Sequence, residues 1–109
     1  MLVLLIGLLT AASPPTIRPG PREVVVYQHR DLGGMAQLYT KGTWEAKHGE
    51  VENDVISSLW VGRKVQVTLC EHDDPVSPGT CRTWGPGSVV PYVGDDLNDR
   101  TSVVHVEPS

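Results

Sequence analysis

The chain carries one pattern twice. Val24-Val25-Val26-Tyr27-Gln28-His29 returns as Val67-Thr68-Leu69-Cys70-Glu71-His72. Asn53-Asp54-Val55-Ile56-Ser57-Ser58 returns, less faithfully, as Leu97-Asn98-Asp99-Arg100-Thr101-Ser102. The offset is 43 from Tyr27 to Cys70, 45 from Tyr39 to Trp84 and 44 from Ser58 to Ser102. Three landmarks with nearly one offset mark a duplicated unit of about 44 residues.

Within each unit the pattern is that of strands. Val65-Gln66-Val67-Thr68-Leu69 alternates apolar and polar side chains, as a half-buried strand does. Val24 to Tyr27 is β-branched and aromatic. Leu32-Gly33-Gly34 breaks that run and Met35 to Tyr39 resumes it, which predicts a hairpin. Gly42-Thr43-Trp44 and Gly87-Ser88-Val89-Val90 mark third strands, and Leu59-Trp60-Val61 and Val103-Val104-His105-Val106 mark fourth strands. Lys47 to Glu52 reads as one short helical turn, while glycines and prolines exclude longer helices elsewhere. Eight short strands bury their apolar faces only if two sheets pack together, and four strands per unit fit a Greek key. Trp44, Trp84 and Tyr39 supply the bulk that phenylalanine, absent here, would otherwise give.

The 109 residues support one domain. Met1 to Ala12 (MLVLLIGLLTAA) is an apolar run too short to span a bilayer. It resembles the hydrophobic part of a secretory signal, with Thr10-Ala11-Ala12 as the cleavage site. Ser13 to Arg22, with four prolines, is expected to be an extended, unpaired linker. The folded domain is then residues 23–107, with repeats 23–62 and 65–107. Secretion places the cysteines in an oxidising compartment. Cys70 and Cys81 flank the loop Glu71 to Thr80 and face each other across a hairpin, so a disulfide is expected. Such a bond would stabilise the fold by about 2–3 kcal/mol.

Tyr27-Gln28-His29-Arg30-Asp31-Leu32-Gly33-Gly34 resembles the Greek-key signature of the βγ-crystallin family: an aromatic, a second aromatic five residues on, then glycine. Leu32 departs at the second aromatic. Asn53-Asp54-Val55-Ile56-Ser57-Ser58 is similar to the family's calcium signature, two Asn or Asp, two spacers, Ser or Thr, and Ser. The resemblance runs over residues 23 to 107. It implies an all-β fold in which two Greek-key motifs form a β-sandwich of two four-stranded sheets.

It also implies a domain stabilised by Ca2+ held between the two signature loops, each ion drawing on both repeats; with the apolar leader, the expectation is a secreted calcium-binding domain. The implied ligands are the side chains of Ser57, Thr101 and Asn53, the carbonyls of Val55 and Asp99, and the hairpin carbonyls of Gln28 and Glu71. Short oxygen-bearing side chains suit calcium, which takes six to eight oxygens in flexible geometry. Leu97, aligned with Asn53, has no side-chain oxygen, so the second site is expected to be the weaker and Leu97→Asp to strengthen it. Asp96 is the residue that could compensate.

Other classes fare less well. A net charge of −4 argues against a nucleic-acid groove or an anionic membrane as partner. Stable membrane insertion is not expected either. No nucleophile motif such as G-x-S-x-G is present, and an enzyme is not expected. His29 and His72, at equivalent positions beside the two hairpins, read as structural. The remaining alternatives are a secreted inhibitor or toxin acting through the insertion Asp73-Asp74-Pro75-Val76-Ser77-Pro78, and an ion-free structural domain. A protein partner is not specified by the sequence.

Overall fold

The computed structural model describes residues 17–45 and 56–109. The apolar run before Ile17 and the Lys47–Glu52 turn therefore lie outside the described residues. Eight strands follow in order: β1 (Val24–His29), β2 (Gly33–Tyr39), β3 (Gly42–Glu45), β4 (Ser58–Val61), β5 (Val65–Cys70), β6 (Cys81–Trp84), β7 (Val89–Val90) and β8 (Val103–Pro108). They form two antiparallel sheets, β2-β1-β4-β7 and β3-β8-β5-β6. Each sheet takes three strands from one repeat and the third strand of the other. That exchange makes two Greek keys of one sandwich, and no helix occurs among the described residues.

The core lies between the sheets. In β5, Val65, Val67 and Leu69 face inward while Gln66 and Thr68 face out, as the alternation requires. Val24 and Val26 of β1, Leu59 and Val61 of β4, and Val104 and Val106 of β8 meet them. Tyr39 is 5 % exposed and Trp84 packs against the same cluster. Trp44 sits further out, its ring 6.1 Å from that of Tyr39 and its indole N–H donating to the Thr40 carbonyl at 2.9 Å.

The second half of the proline-rich segment is not an unpaired linker. Gly62 N–H donates to the Glu23 carbonyl at 2.7 Å and Lys64 N–H to the Pro21 carbonyl at 2.8 Å. The Tyr27 hydroxyl donates to the Ile17 carbonyl, and the Arg18 guanidinium lies 5.5 Å from the Trp60 ring centre. Proline lacks a donor but keeps its carbonyl, so a proline-rich strap can still accept hydrogen bonds from the β4–β5 turn. Gly62 is the residue that permits the approach: a Cβ there would stand 2.3 Å from the Gly20 oxygen.

Strand register corrects the alignment of the two repeats. Val24 opposes Tyr39 and Val67 opposes Trp84, so the second hairpin is two residues longer than the first. Tyr27 opposes Ser58, whereas Cys70 opposes Val103. Ser58 and Val103 are therefore counterparts, at an offset of 45. Inside–outside alternation agrees, because Leu59 and Val61 are buried in β4 as Val104 and Val106 are in β8. A slip of one residue would turn every side chain to the other face. The second polar signature is thus Asn98-Asp99-Arg100-Thr101-Ser102, with Ser102 as counterpart of Ser57.

Candidate cation site between the two repeats

The polar loops gather at one end of the sandwich, where β1 and β5 finish. Ser57 lies at the entry to β4. Its N–H donates to the Tyr27 carbonyl at 2.9 Å, which sets it beside Gln28, and its carbonyl accepts from Val93 N–H at 2.9 Å. Its hydroxyl donates to Asn98 Oδ1 at 2.6 Å. Side-chain oxygens from opposite repeats thus converge, with Ser57 only 8 % exposed.

Backbone bonds hold the second loop in that position. Asn98 N–H donates to the Gly94 carbonyl at 2.8 Å and Asp99 N–H to the Ile56 carbonyl at 3.4 Å. Asp99 adopts a positive φ of 57°, a conformation that short Asn and Asp side chains tolerate better than most. On the other side, Ser102 N–H donates to the Cys70 carbonyl at 2.9 Å, beside Glu71, repeating the relation of Ser57 to Tyr27. The Glu71 carboxylate accepts from Thr80 N–H at 3.3 Å and lies 3.7 Å from the Arg100 guanidinium.

Several residues proposed from sequence stand elsewhere than expected. Thr101 is fully buried, and its hydroxyl donates inward to the Leu97 carbonyl at 3.1 Å. It ties the loop to itself, and Ser102 takes the position that corresponds to Ser57. Leu97 is also fully buried, within the core, so it is a packing residue and not a failed ligand. By the same register, Arg100 and not Asp99 corresponds to Val55. Asp96 is engaged by Arg82, which reaches its two carboxylate oxygens at 3.0 and 2.9 Å. That contact holds the Asp96 carboxyl below its usual range. Asn53 and Val55 lie outside the described residues. Asn98 and Ser102 are the oxygens that the uncorrected alignment misses; the Asn-Asp dipeptides at 53–54 and 98–99, which share the corrected offset, are the signal for them in the sequence.

The hairpins that flank the site repeat one device. Gly34 and Gly79 have φ of 78° and 74°, and an imidazole lies against each. A Cβ would stand 2.6 Å from His29 at Gly34 and 2.8 Å from His72 at Gly79. The cysteines form the expected disulfide at the base of the second hairpin, with Cα atoms 4.2 Å apart.

Chemically, the cross-repeat pair consists of neutral oxygens on short side chains, with carbonyls close by. Such a set suits a hard cation that tolerates mixed ligands. Among the described residues, no three His, Cys, Asp or Glu side chains form a metal cluster. A cavity of about 380 Å³ along Leu38, Tyr39, Thr43 and Trp44 includes none of these oxygens.

No family model matches the chain, and no curated protein sequence matches it. Solved structures do. A structure from work on the evolution of the eye lens βγ-crystallin domain fold is 25 % identical, with a TM-score of 0.75 over 88 % of this chain and 95 % of that one. A doubly substituted βγ-crystallin domain from Clostridium beijerinckii is 30 % identical, with a TM-score of 0.67 over 77 % of this chain and 94 % of its own. A double-histidine variant of clostrillin, 28 % identical with a TM-score of 0.67 over 77 % and 95 % of the two chains, was crystallised with nickel.

Proposed function

This chain belongs to the βγ-crystallin family, and on that premise we propose that it is a secreted, non-catalytic domain that calcium stabilises. The reading rests on one observation, the meeting of Ser57 Oγ with Asn98 Oδ1 across the two repeats at 2.6 Å. The ligands are Ser57, Asn98 and the carbonyls of Val55 and Gln28 for a first ion. Ser102, Asn53 and the carbonyls of Arg100 and Glu71 form the matching set for a second. When bound, calcium supplies positive charge that ties two sequence-distant loops together. At about 100 times its dissociation constant such a ligand adds roughly 2.7 kcal/mol to the folded state. Export is supported by the apolar N-terminal run and by the Cys70–Cys81 bond.

Calcium titration by calorimetry, with thermal melts in calcium and in chelator, tests the reading. A melting temperature that rises with calcium is expected. An unchanged melt and no binding heat would favour the ion-free structural domain.

One observation favours a second reading, a secreted inhibitor. Val76 is 88 % exposed at the tip of the disulfide-closed loop, between Pro75 and Pro78. Val76 N–H donates to Asp74 Oδ1 at 2.9 Å and His72 N–H to the Pro78 carbonyl at 2.9 Å. A loop ordered in advance loses little entropy on binding. Inhibition of a protease panel that disappears with Val76→Asp would support it.

A further inference from the structure

Charge is divided between the two ends of the sandwich. The end that holds turn 30–32 and loops 71–80 and 91–102 carries Asp31, Asp74, Asp95 and Asp99, besides the paired Glu71 and Asp96. Its basic residues, Arg30, Arg100 and Arg82, whose guanidinium reaches the Val93 carbonyl and Asp96, are fewer. The opposite end holds the strap 18–23, the β2–β3 link and the β4–β5 turn, and carries Arg18, Arg22, Lys41, Arg63 and Lys64. Two carboxylates stand at this end: Glu23, which accepts from Gly20 N–H at 2.7 Å, and Glu107 at the end of β8, which accepts from the Gln66 amide at 2.7 Å.

All five basic side chains are exposed. Arg18 rests on Trp60, and the other four form no ion pair with a carboxylate among the described residues. The backbone bonds from Gly62 to Glu23 and from Lys64 to Pro21 hold strap and turn together, so this basic surface is built on ordered backbone.

We propose that the basic end of one copy seats on the acidic end of another, head to tail. A second copy is the partner whose charge complements this surface, and strands separate the two ends so that one molecule cannot join its own. A contact between different patches extends into short open chains unless the rotation between copies closes a ring, and patches at opposite ends of the molecule favour the open form. The net charge of −4 opposes association at long range. At moderate ionic strength, with a screening length of about 10 Å, distant like charges no longer feel each other while apposed ends still do. The contact is weak, because exposed ion pairs each contribute little. The inference is independent of the calcium reading.

Sedimentation velocity over a concentration series, in chelator, tests it. At about 0.1 M salt the weight-average sedimentation coefficient should rise with concentration, and at about 1 M, where screening shortens to about 3 Å, it should not. Arg63→Glu with Lys64→Glu, or Asp73→Lys with Asp74→Lys, should each weaken association about tenfold. Thr83→Glu, on the outer face of the second sheet, should leave it unchanged. Melting curves verify that each variant is folded. A monomer under every condition overturns the proposal, as does association that survives both reversals. Binding of a monomeric protein to a sulfated polysaccharide, lost in Arg63→Glu with Lys64→Glu, also overturns it and assigns the surface to an anionic partner.

Discussion

Ser58 and Val103 hold the same place in the two repeats, and only the serine can secure a hairpin. Ser58 Oγ donates to the His29 carbonyl at 2.6 Å and accepts from Leu32 N–H at 3.0 Å, so it fastens the turn between β1 and β2 from a fully buried position. Val103 has no such group. At the base of the second hairpin the Cys70–Cys81 disulfide stands instead. One repeat is clasped by hydrogen bonds and the other by a covalent bond.

Ser58→Val is therefore expected to lower stability by about 1–3 kcal/mol, the cost of leaving buried polar groups unpaired. Cys70→Ser with Cys81→Ser should lower it by about 2–3 kcal/mol. Urea unfolding measures both, and a neutral Ser58→Val would show that the clasp has no energetic role.

Asn98→Ala should reduce the calcium-induced rise in melting temperature as much as Ser57→Ala does, since the two oxygens meet. Leu97→Asp should not strengthen calcium binding. It places a carboxylate in the core and should cost at least about 3 kcal/mol. A folded Leu97→Asp protein with improved calcium affinity would contradict the register.

Leu32 has a φ of 61°, next to Asp31 at 58°. A branched side chain pays about 1–2 kcal/mol for that conformation. Leu32→Gly, which relieves the strain but loosens the unfolded chain, should raise stability by about 0.5–1 kcal/mol. Chemical denaturation is the measurement, and a loss of stability would mean that Leu32 packing outweighs the strain.

Arg82 holds the Asp96 carboxyl below the usual carboxylate range, chiefly through its hydrogen bonds. A depressed folded value contributes stability at neutral pH that is lost as pH falls through it, here below about pH 4. The pair is exposed, so the effect is small. Melts between neutral pH and acid should lose less stability in Asp96→Asn than in the parent. An equal acid slope in both would remove Asp96 from the titration.

Much of the fold was legible because it follows from period and spacing. Alternation in Val65 to Leu69, the glycine break after Leu32 and the two-residue excess of the second hairpin are local properties of the chain. Cys70 and Cys81 were legible too, because they bracket one turn and face each other wherever that hairpin forms. The fate of residues 97 to 102 was not legible. Leu97 and Thr101 look like members of a polar loop until the pairing of Cys70 with Val103 shifts the frame by one residue and sends both inward.

By itself, then, the sequence determined a duplicated all-β chain with a stapled second hairpin and oxygen-rich loops, since strand period, turn chemistry and cysteine spacing are written in neighbouring residues. Only the tertiary structure decided which oxygens meet, that the strap belongs to the domain, and how charge divides between its ends. Those depend on inter-strand register and on strand exchange between repeats, in which residues far apart in the chain are aligned by backbone pairing and burial.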